Sequence, residues 1–404
     1  MADALKPKDE TEVVEALNDA LKGGKTLELV GHGSKRGIGR AAQTDRTLDV
    51  SAISGVTLYE PEELVLSARA GTPLAEIEKL LADKNQELAF EPADLGPLLG
   101  GEAGAATLGG TLAVNLSGPR RIKAGAARDF ALGVRAVSGR GEIFKAGGRV
   151  VKNVTGYDLP KLLAGSWGTL AVMTELTIKV LPRAEDVATV LVLGLTDARA
   201  AEAMAACMGS SCEVSGSAHL PPKVALRMPV AVVAKAGRAV TALRLEGIAP
   251  SIAYRRQKLE EILQPIGTLG ALDAGESRAF WCAVRDVMPF VARKERAVWR
   301  ISATATAGAA IGTKLVAETG AELLYDWAGG LLWVEMPDGA PREGIVRATL
   351  GAQGHATLIR ADASQRAGDV FEPLEPSLAA LAKRVKESFD PKGVLNPGRM
   401  YAGI

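Results

Sequence analysis

The stretch LVGHGSKRGIGR, residues 29–40, places Gly31, Gly33, Gly37 and Gly39 close together, with small and basic residues between them. Backbone N–H groups cleared of side chains can converge on a phosphate as an anion-binding nest. The doubly wound dinucleotide loop needs G-x-G-x-x-G opening a helix. Counted from Gly31, Arg36 occupies the third glycine position; counted from Gly33, Lys35 occupies the second. No long amphipathic helix follows, so that loop type is excluded. A second cluster, ATLGGTLAVNLSG (106–118), contains Thr107, Gly109, Gly110, Asn115 and Ser117. A third, KNVTGYDLPKLLAGSWGTLAVMTE (152–175), contains Gly156, Tyr157, Asp158, Gly165, Ser166, Gly168 and Thr169. Two nests can hold both ends of a diphosphate without a dedicated lysine. Three clusters separated by short strands predict a cofactor lying along a cleft.

Other chemistry is sparse. His32, His219 and His355 are too far apart for a local H-x-H or H-E-x-x-H ligand pair, so no metal is expected. Cys207, Cys212 and Cys282 are too few for four-thiolate cluster ligation. Cys207 and Cys212, beside a helical run, read as packed thiols rather than a redox couple. GPRRIKAGAAR is a basic run that reads as a solvated loop, although it leaves open an anion-facing role for Arg120 or Arg121. Arg300 and Arg360 lie on expected strands. Each could grip a substrate carboxylate bidentately, a surface salt bridge being the ordinary alternative.

Several elements must position these groups. KDETEVVEALNDALKGGK reads as a helix stopped at Gly23, and TLELVG as the strand feeding the first loop. TPLAEIEKLLADKN reads as a helix capped by Thr72 with Pro73 at its first position. Residues 170–181 form a long strand-like run, and Pro182 with RAED after it marks a boundary. Beyond it, strand–helix–strand units predict an antiparallel sheet with helices on one face. A helix is expected over TALRLEG to RRQKLEEILQPIG, and a hairpin turning at Gly329-Gly330. PSLAALAKRVKESF is a helix stopped by Asp390-Pro391.

The bulk properties narrow the function classes. With 404 residues, 47% hydrophobic and 24% charged, the chain can bury a large core. A net charge of +1 and 4% aromatic residues give no attraction to nucleic acid or an anionic membrane. MADALKPKDETE has no apolar signal region, and no apolar run reaches the roughly 18 residues of a membrane span. A cytoplasmic location is expected, peripheral to a membrane only through partners.

VGHGSKRGIG, TLGGTLAVNLSGPRRIKAGAARDFALG, KNVTGYDLPKLLAGSWGTLAVMTELTIKVLP and the tail FDPKGVLNPGRMY together resemble the vanillyl-alcohol-oxidase or PCMH-type FAD-binding family. Within it, the FAD-binding subunits of bacterial glycolate oxidases are the nearest in kind. The resemblance implies an α+β chain: a two-part PCMH-type FAD-binding domain plus an α+β cap domain with an antiparallel sheet. The expected boundaries are 1–183 for the FAD domain, 184–365 for the cap and 366–404 for a tail returning to the FAD domain. By motif position, Gly31, Gly33, Ser34 and Gly37 would bind the diphosphate, with His32 and Lys35 in the same loop. Thr107, Gly109, Gly110, Asn115 and Ser117 would line the second side. Gly125 and Asp129 match a further position near the cofactor. Gly165, Gly168, Thr169 and Val172 would follow the adenosine end, and Asn396 would approach the flavin ring. Ser34 stands where some members carry a tethering histidine, so the FAD is expected to be non-covalent.

The implied activity is oxidation of glycolate to glyoxylate, with hydride passing to FAD and electrons to an iron–sulfur partner subunit. A larger homologous FAD subunit is the other expected partner. Two alternatives stand beside this: a flavin-bearing relay subunit without chemistry of its own, or a stand-alone oxidase of another 2-hydroxy acid such as D-lactate. His355, Arg300 and Arg360 are the candidates for a catalytic role.

Overall fold

A computed structural model describes residues 4–41, 43–150 and 156–404. Residues 152–155, which open the third glycine cluster, lie outside the described residues. Up to Pro182 the short apolar runs pair into small sheets. Ala4–Leu5, Arg46–Asp49 and Leu27–Val30 form a parallel three-stranded sheet. Val56–Glu60, Val65–Arg69, Ala171–Lys179, Ala131–Ser138 and Ile143–Gly147 form an antiparallel five-stranded one, in that order. From Asp186 to Arg360 the described strands all join one eight-stranded antiparallel sheet. The architecture is α+β, as expected.

Local rules account for most elements. Helix Glu10–Gly23 starts where the Asp9 carboxylate accepts from the Glu12 N–H, and stops at left-handed Gly24, one residue past the expected stop. Helix Leu74–Ala82 forms, but Thr72 does not cap it. Its hydroxyl donates to the Arg69 carbonyl at 2.7 Å and accepts from the Gly55 N–H at 2.9 Å, so it locks the preceding turn instead. TALRLEG is a strand, Val240–Gly247, rather than the start of a helix. It sits inside the sheet with both faces covered. The apolar/polar alternation of a strand is therefore lost, leaving only the helix-favouring Ala, Leu, Arg and Glu to be read.

The helices are not confined to one face of the large sheet. Asp197–Met208 and Ala249–Leu263 pack against Val190, Val192, Leu243 and Leu245. Ala274–Arg285 lies on the opposite face, where Phe280 and Trp281 pack with Leu191, Ala218 and Ala242. That core cluster also takes in Ile38, Leu98 and Leu116 from the first half of the chain, so it joins the two halves. His219 is fully buried, with ring nitrogens 2.8 Å from the Thr241 hydroxyl and 3.3 Å from the Asp197 carboxylate. It fastens a helix to the sheet. Cys207 and Cys212 are buried and free, and burial pushes the Cys207 thiol up to about 12, which suits packed thiols.

Candidate functional site

A cleft enclosing about 810 Å³ of empty space opens where the glycine clusters meet. Its first wall is the loop after strand Leu27–Val30. Gly33 and Gly39 take left-handed backbone there, at φ 75° and 88°. Ile38, fully buried in the joining core, anchors the loop. The second wall is a short helix, Leu108–Val114, where the sequence suggested only a glycine-rich connection. Thr107 caps it by accepting from the Gly110 N–H at 3.2 Å. Gly109 lets the helix settle on the neighbouring strand: a Cβ there would lie 2.8 Å from the Ala70 Cβ. Gly31 abuts this wall in turn, since its Cβ would lie 2.7 Å from the Thr107 hydroxyl. The third wall is the Trp167–Gly168 turn and the start of strand Ala171–Lys179.

Of the residues expected at the cofactor, Gly31, His32, Gly33, Ser34, Lys35, Thr107, Gly109, Gly110, Gly168, Val172 and Asn396 line this cleft. Gly37, Asn115, Ser117, Gly125, Asp129, Gly165 and Thr169 are not in its lining. Gly37 faces Leu99. Asn115 ends the second-wall helix in left-handed conformation, and its side chain accepts from the Arg128 N–H at 3.0 Å. Ser117 accepts from the Ala127 N–H at 2.9 Å. Asp129 accepts from the Ala126 N–H, and Gly125 turns the chain in front of it. Gly165 donates to the Leu112 carbonyl, and Thr169 to that of Ser166. These residues brace the walls from behind. Ala70, Val114, Trp167, Met173 and Arg399 also line the cleft and were not singled out. Val114, Trp167, Met173 and Arg399 lie within the quoted motifs as apolar or basic neighbours of the residues named, and Ala70 lies outside them.

The cleft suits a long group that is anionic at one end and flat and apolar at the other. Bare glycine backbone lines the loop end, and Val114, Trp167, Ala171 and Met173 supply apolar surface. Lys35 is buried there and, among the described residues, its ammonium has no hydrogen-bond acceptor. Burial lowers its pKa to about 8, against the attraction of Asp94.

The catalytic candidates lie beyond the cleft wall. Val114 and Trp167 pack on the core that holds Trp327 and Trp333. Over the Trp327 ring stand two guanidiniums, Arg121 at 4.5 Å and Arg300 at 5.0 Å from the centroid. Neither has an ion-pair partner among the described residues, and burial pushes Arg300 down to about 10. Arg300 pairs with Thr357 and Ser302 with His355 across adjacent strands, so Arg300 and His355 share a sheet face. Burial, then Arg300 and Arg121, lowers the His355 pKa. Asp326, which sequence reasoning missed, is 2% exposed, and burial pushes its carboxyl up to about 7.

Two expectations fail here. Arg360 donates to the carbonyls of Arg296, Leu98, Phe290 and Arg293 and to Glu335, which leaves it no capacity for a substrate. Arg120 is bound by Glu87 at 2.8 Å and Glu246 at 2.7 Å, so it faces no free anion site.

The family model described as an FAD binding domain matches residues 2–147. Glycolate oxidase subunit GlcE of Escherichia coli K12 is 36% identical over 97% of this chain and 97% of its own length. Glycolate oxidase subunit GlcD of Bacillus subtilis is 41% identical over 22% of this chain and 18% of its own length. Among solved structures, p-cresol methylhydroxylase superposes with a TM-score of 0.72 at 14% identity, covering 98% of this chain and 88% of that one.

Proposed function

The chain belongs to the family of the glycolate oxidase subunit GlcE, and on that premise we propose that it is the FAD-binding subunit of a complex oxidising glycolate to glyoxylate. The observation that carries this is the cleft: glycine-lined at one end, apolar at the other, with buried Lys35 in its lining and, among the described residues, no acceptor for its ammonium. We assign the FAD domain to 1–183, the cap to 184–365 and the tail to 366–404. This agrees with the change of sheet between Pro182 and Asp186. FAD is held without a covalent bond, Ser34 standing at the tethering position, so acid precipitation should release all of the flavin.

Bound flavin supplies the hydride acceptor for the α-carbon of the hydroxy acid. The chain's own residues do the rest. Arg121 and Arg300, one from each half of the chain, hold the substrate carboxylate between them against Trp327. Asp326 and His355 are the nearby groups that can take the hydroxyl proton near neutral pH. The electrons leave through an iron–sulfur subunit, and a larger flavin subunit like GlcD completes the complex. Among the described residues no helix is long and apolar enough to cross a membrane.

The purified chain, anaerobic and without partners, should lose its oxidised flavin absorption on addition of glycolate. If bleaching appears only with the larger subunit present, this chain is an electron relay. Arg300→Met should raise the KM for glycolate by roughly 10- to 100-fold, the worth of a hydrogen bond to a charged group, with flavin content retained.

The Lys35 pKa adds a pH dependence. Below pH 8 the ammonium is charged and can meet the diphosphate; above it the free protein loses that proton. A bound diphosphate stabilises the charged form, so FAD binding takes up a proton above pH 8. Affinity should therefore fall by roughly tenfold between pH 7 and about 9.5. Titration by flavin fluorescence quenching checks this, and Lys35→Met should flatten the profile.

A further inference from the structure

The tail reaches the cleft from a part of the sequence far from all three glycine clusters. Asn396 sits there with left-handed backbone, φ 41°, and is 5% exposed. Its side-chain oxygen accepts from the Leu29 N–H at 2.8 Å, and its amide nitrogen donates to the Trp167 carbonyl at 2.8 Å. Leu29 belongs to the first wall and Trp167 to the third, so a single carboxamide ties the two together. Gly168 must be bare for this, because a Cβ there would lie 2.8 Å from the Asn396 amide nitrogen.

Arg399 acts on the loop itself. Its guanidinium donates to the carbonyls of Lys35 at 3.3 Å and Arg36 at 3.0 Å. Its own carbonyl accepts from the Arg40 N–H at 2.9 Å. Gly39 is bare beneath it, since a Cβ would lie 2.8 Å from the Arg399 Nε. The tail is in turn moored by Lys386, whose buried ammonium donates to the Asp390 carboxylate, the Leu395 carbonyl and the Thr169 carbonyl. The bonds from Asn396, Arg399 and, to Thr169, from Lys386 join tail to wall; those from Lys386 to Asp390 and Leu395 hold the tail's own turn.

Resting on the FAD reading above, we propose that Asn396 and Arg399 are positioning residues that clasp the walls of the cleft and set how slowly FAD leaves. Asn396 does this through the wall backbone, its oxygen accepting from one wall and its nitrogen donating to another. Arg399 fixes the loop from which the Lys35 ammonium projects, and so fixes where that charge stands. With the clasp open, the first loop can swing from Trp167 and the cofactor escapes before the rest of the fold responds.

The test measures FAD release from the full-length holoprotein, as the rise in free-flavin fluorescence after dilution into FAD-free buffer. Asn396→Gly removes the carboxamide while tolerating the left-handed backbone. Arg399→Gln removes the guanidinium fork, and Arg399→Lys keeps a donor able to reach one carbonyl. Release should quicken by roughly tenfold or more in the first two, each having lost at least one well-made hydrogen bond, and less in the third. The melting transition of each apoprotein is followed in parallel. Wild-type release rates in both Asn396→Gly and Arg399→Gln would overturn the proposal. So would FAD loss that merely tracks an early melt, or a lysine variant no better than glutamine. A wild-type chain that takes up no FAD would instead overturn the flavoprotein reading, with the clasp variants indistinguishable from it.

Discussion

Replacing Gly33 by valine is expected to leave a folded chain that no longer retains FAD. Gly33 has φ 75°, a conformation that costs a side-chain-bearing residue about 1–2 kcal/mol. A Cβ there meets no protein atom within 4 Å, so the new side chain enters the open cleft rather than the core. The fold therefore bears a modest strain, and the ligand loses the bare backbone it must approach. The neighbouring glycines should behave differently. At Gly109 a Cβ would strike Ala70 at 2.8 Å, and at Gly31 it would strike Thr107 at 2.7 Å. Valine at either position should lower stability as well as flavin content. The flavin-to-protein absorbance ratio after gel filtration should fall by roughly tenfold or more for Gly33→Val, equivalent to about 1.4 kcal/mol or more of binding. Its urea midpoint should change little, whereas that of Gly109→Val should drop clearly.

The largest loss of stability is expected from Glu91→Ala. Glu91 receives both terminal nitrogens of Arg244, at 2.7 and 3.0 Å, and the Arg120 N–H at 2.6 Å. Arg244 is 2% exposed and lies 4.7 Å from the Trp281 ring centroid. Without Glu91 its charge stays buried, with Glu246, at 3.5 Å, as the remaining ion-pair partner among the described residues. Breaking such a pair from one side costs about 3–5 kcal/mol, a large share of the roughly 5–15 kcal/mol that holds a protein folded. Glu246 places the expectation at the lower end of that range, to be read as a fall in the urea midpoint, with Glu91→Gln intermediate. Because Arg244 belongs to the large sheet and Glu91 to the first half of the chain, the joint between them should loosen first. Against the cost of burial, Arg244 and Arg120 hold the Glu246 carboxyl down to about 2. Its contribution is complete above the ordinary glutamate value, about 4.3, and is lost as pH falls from there toward 2. The wild-type chain should lose stability over that window, and Glu91→Ala should lose less of it.

What could be read beforehand follows from the kind of signal each residue sends. Gly31, Gly33, Gly109 and Gly168 were visible because close approach to backbone demands a missing side chain wherever it occurs. The same letters at Gly37, Gly125 and Gly165 mark turns that brace the walls, and spacing alone does not separate a lining glycine from a bracing one. Asn115 and Ser117 are ambiguous for the same reason, since a small polar side chain serves a backbone N–H as readily as a phosphate. Trp167, Ala70 and Met173 are ordinary apolar residues whose place in the cleft comes only from tertiary packing. Arg300 could be proposed from its type, but its pairing with Arg121 over Trp327 joins segments far apart in the chain. Arg360 was equally plausible on type and is entirely occupied by carbonyls and Glu335. The ion network between the two halves of the chain is invisible in the sequence, because Arg244 and Glu91 are 153 residues apart.

The bond from Asn396 to Leu29 spans 367 residues. It means that the cleft cannot be finished until Asn396 has been made and has left the ribosome. On the ribosome, the first loop and the Trp167 turn emerge early, but the residue that clasps them follows only after the strands of the large sheet. Fragments that stop before Asn396 would carry most of the glycine backbone of the site and still lack its closure. Chains terminated before Asn396 would therefore be left with an open cleft.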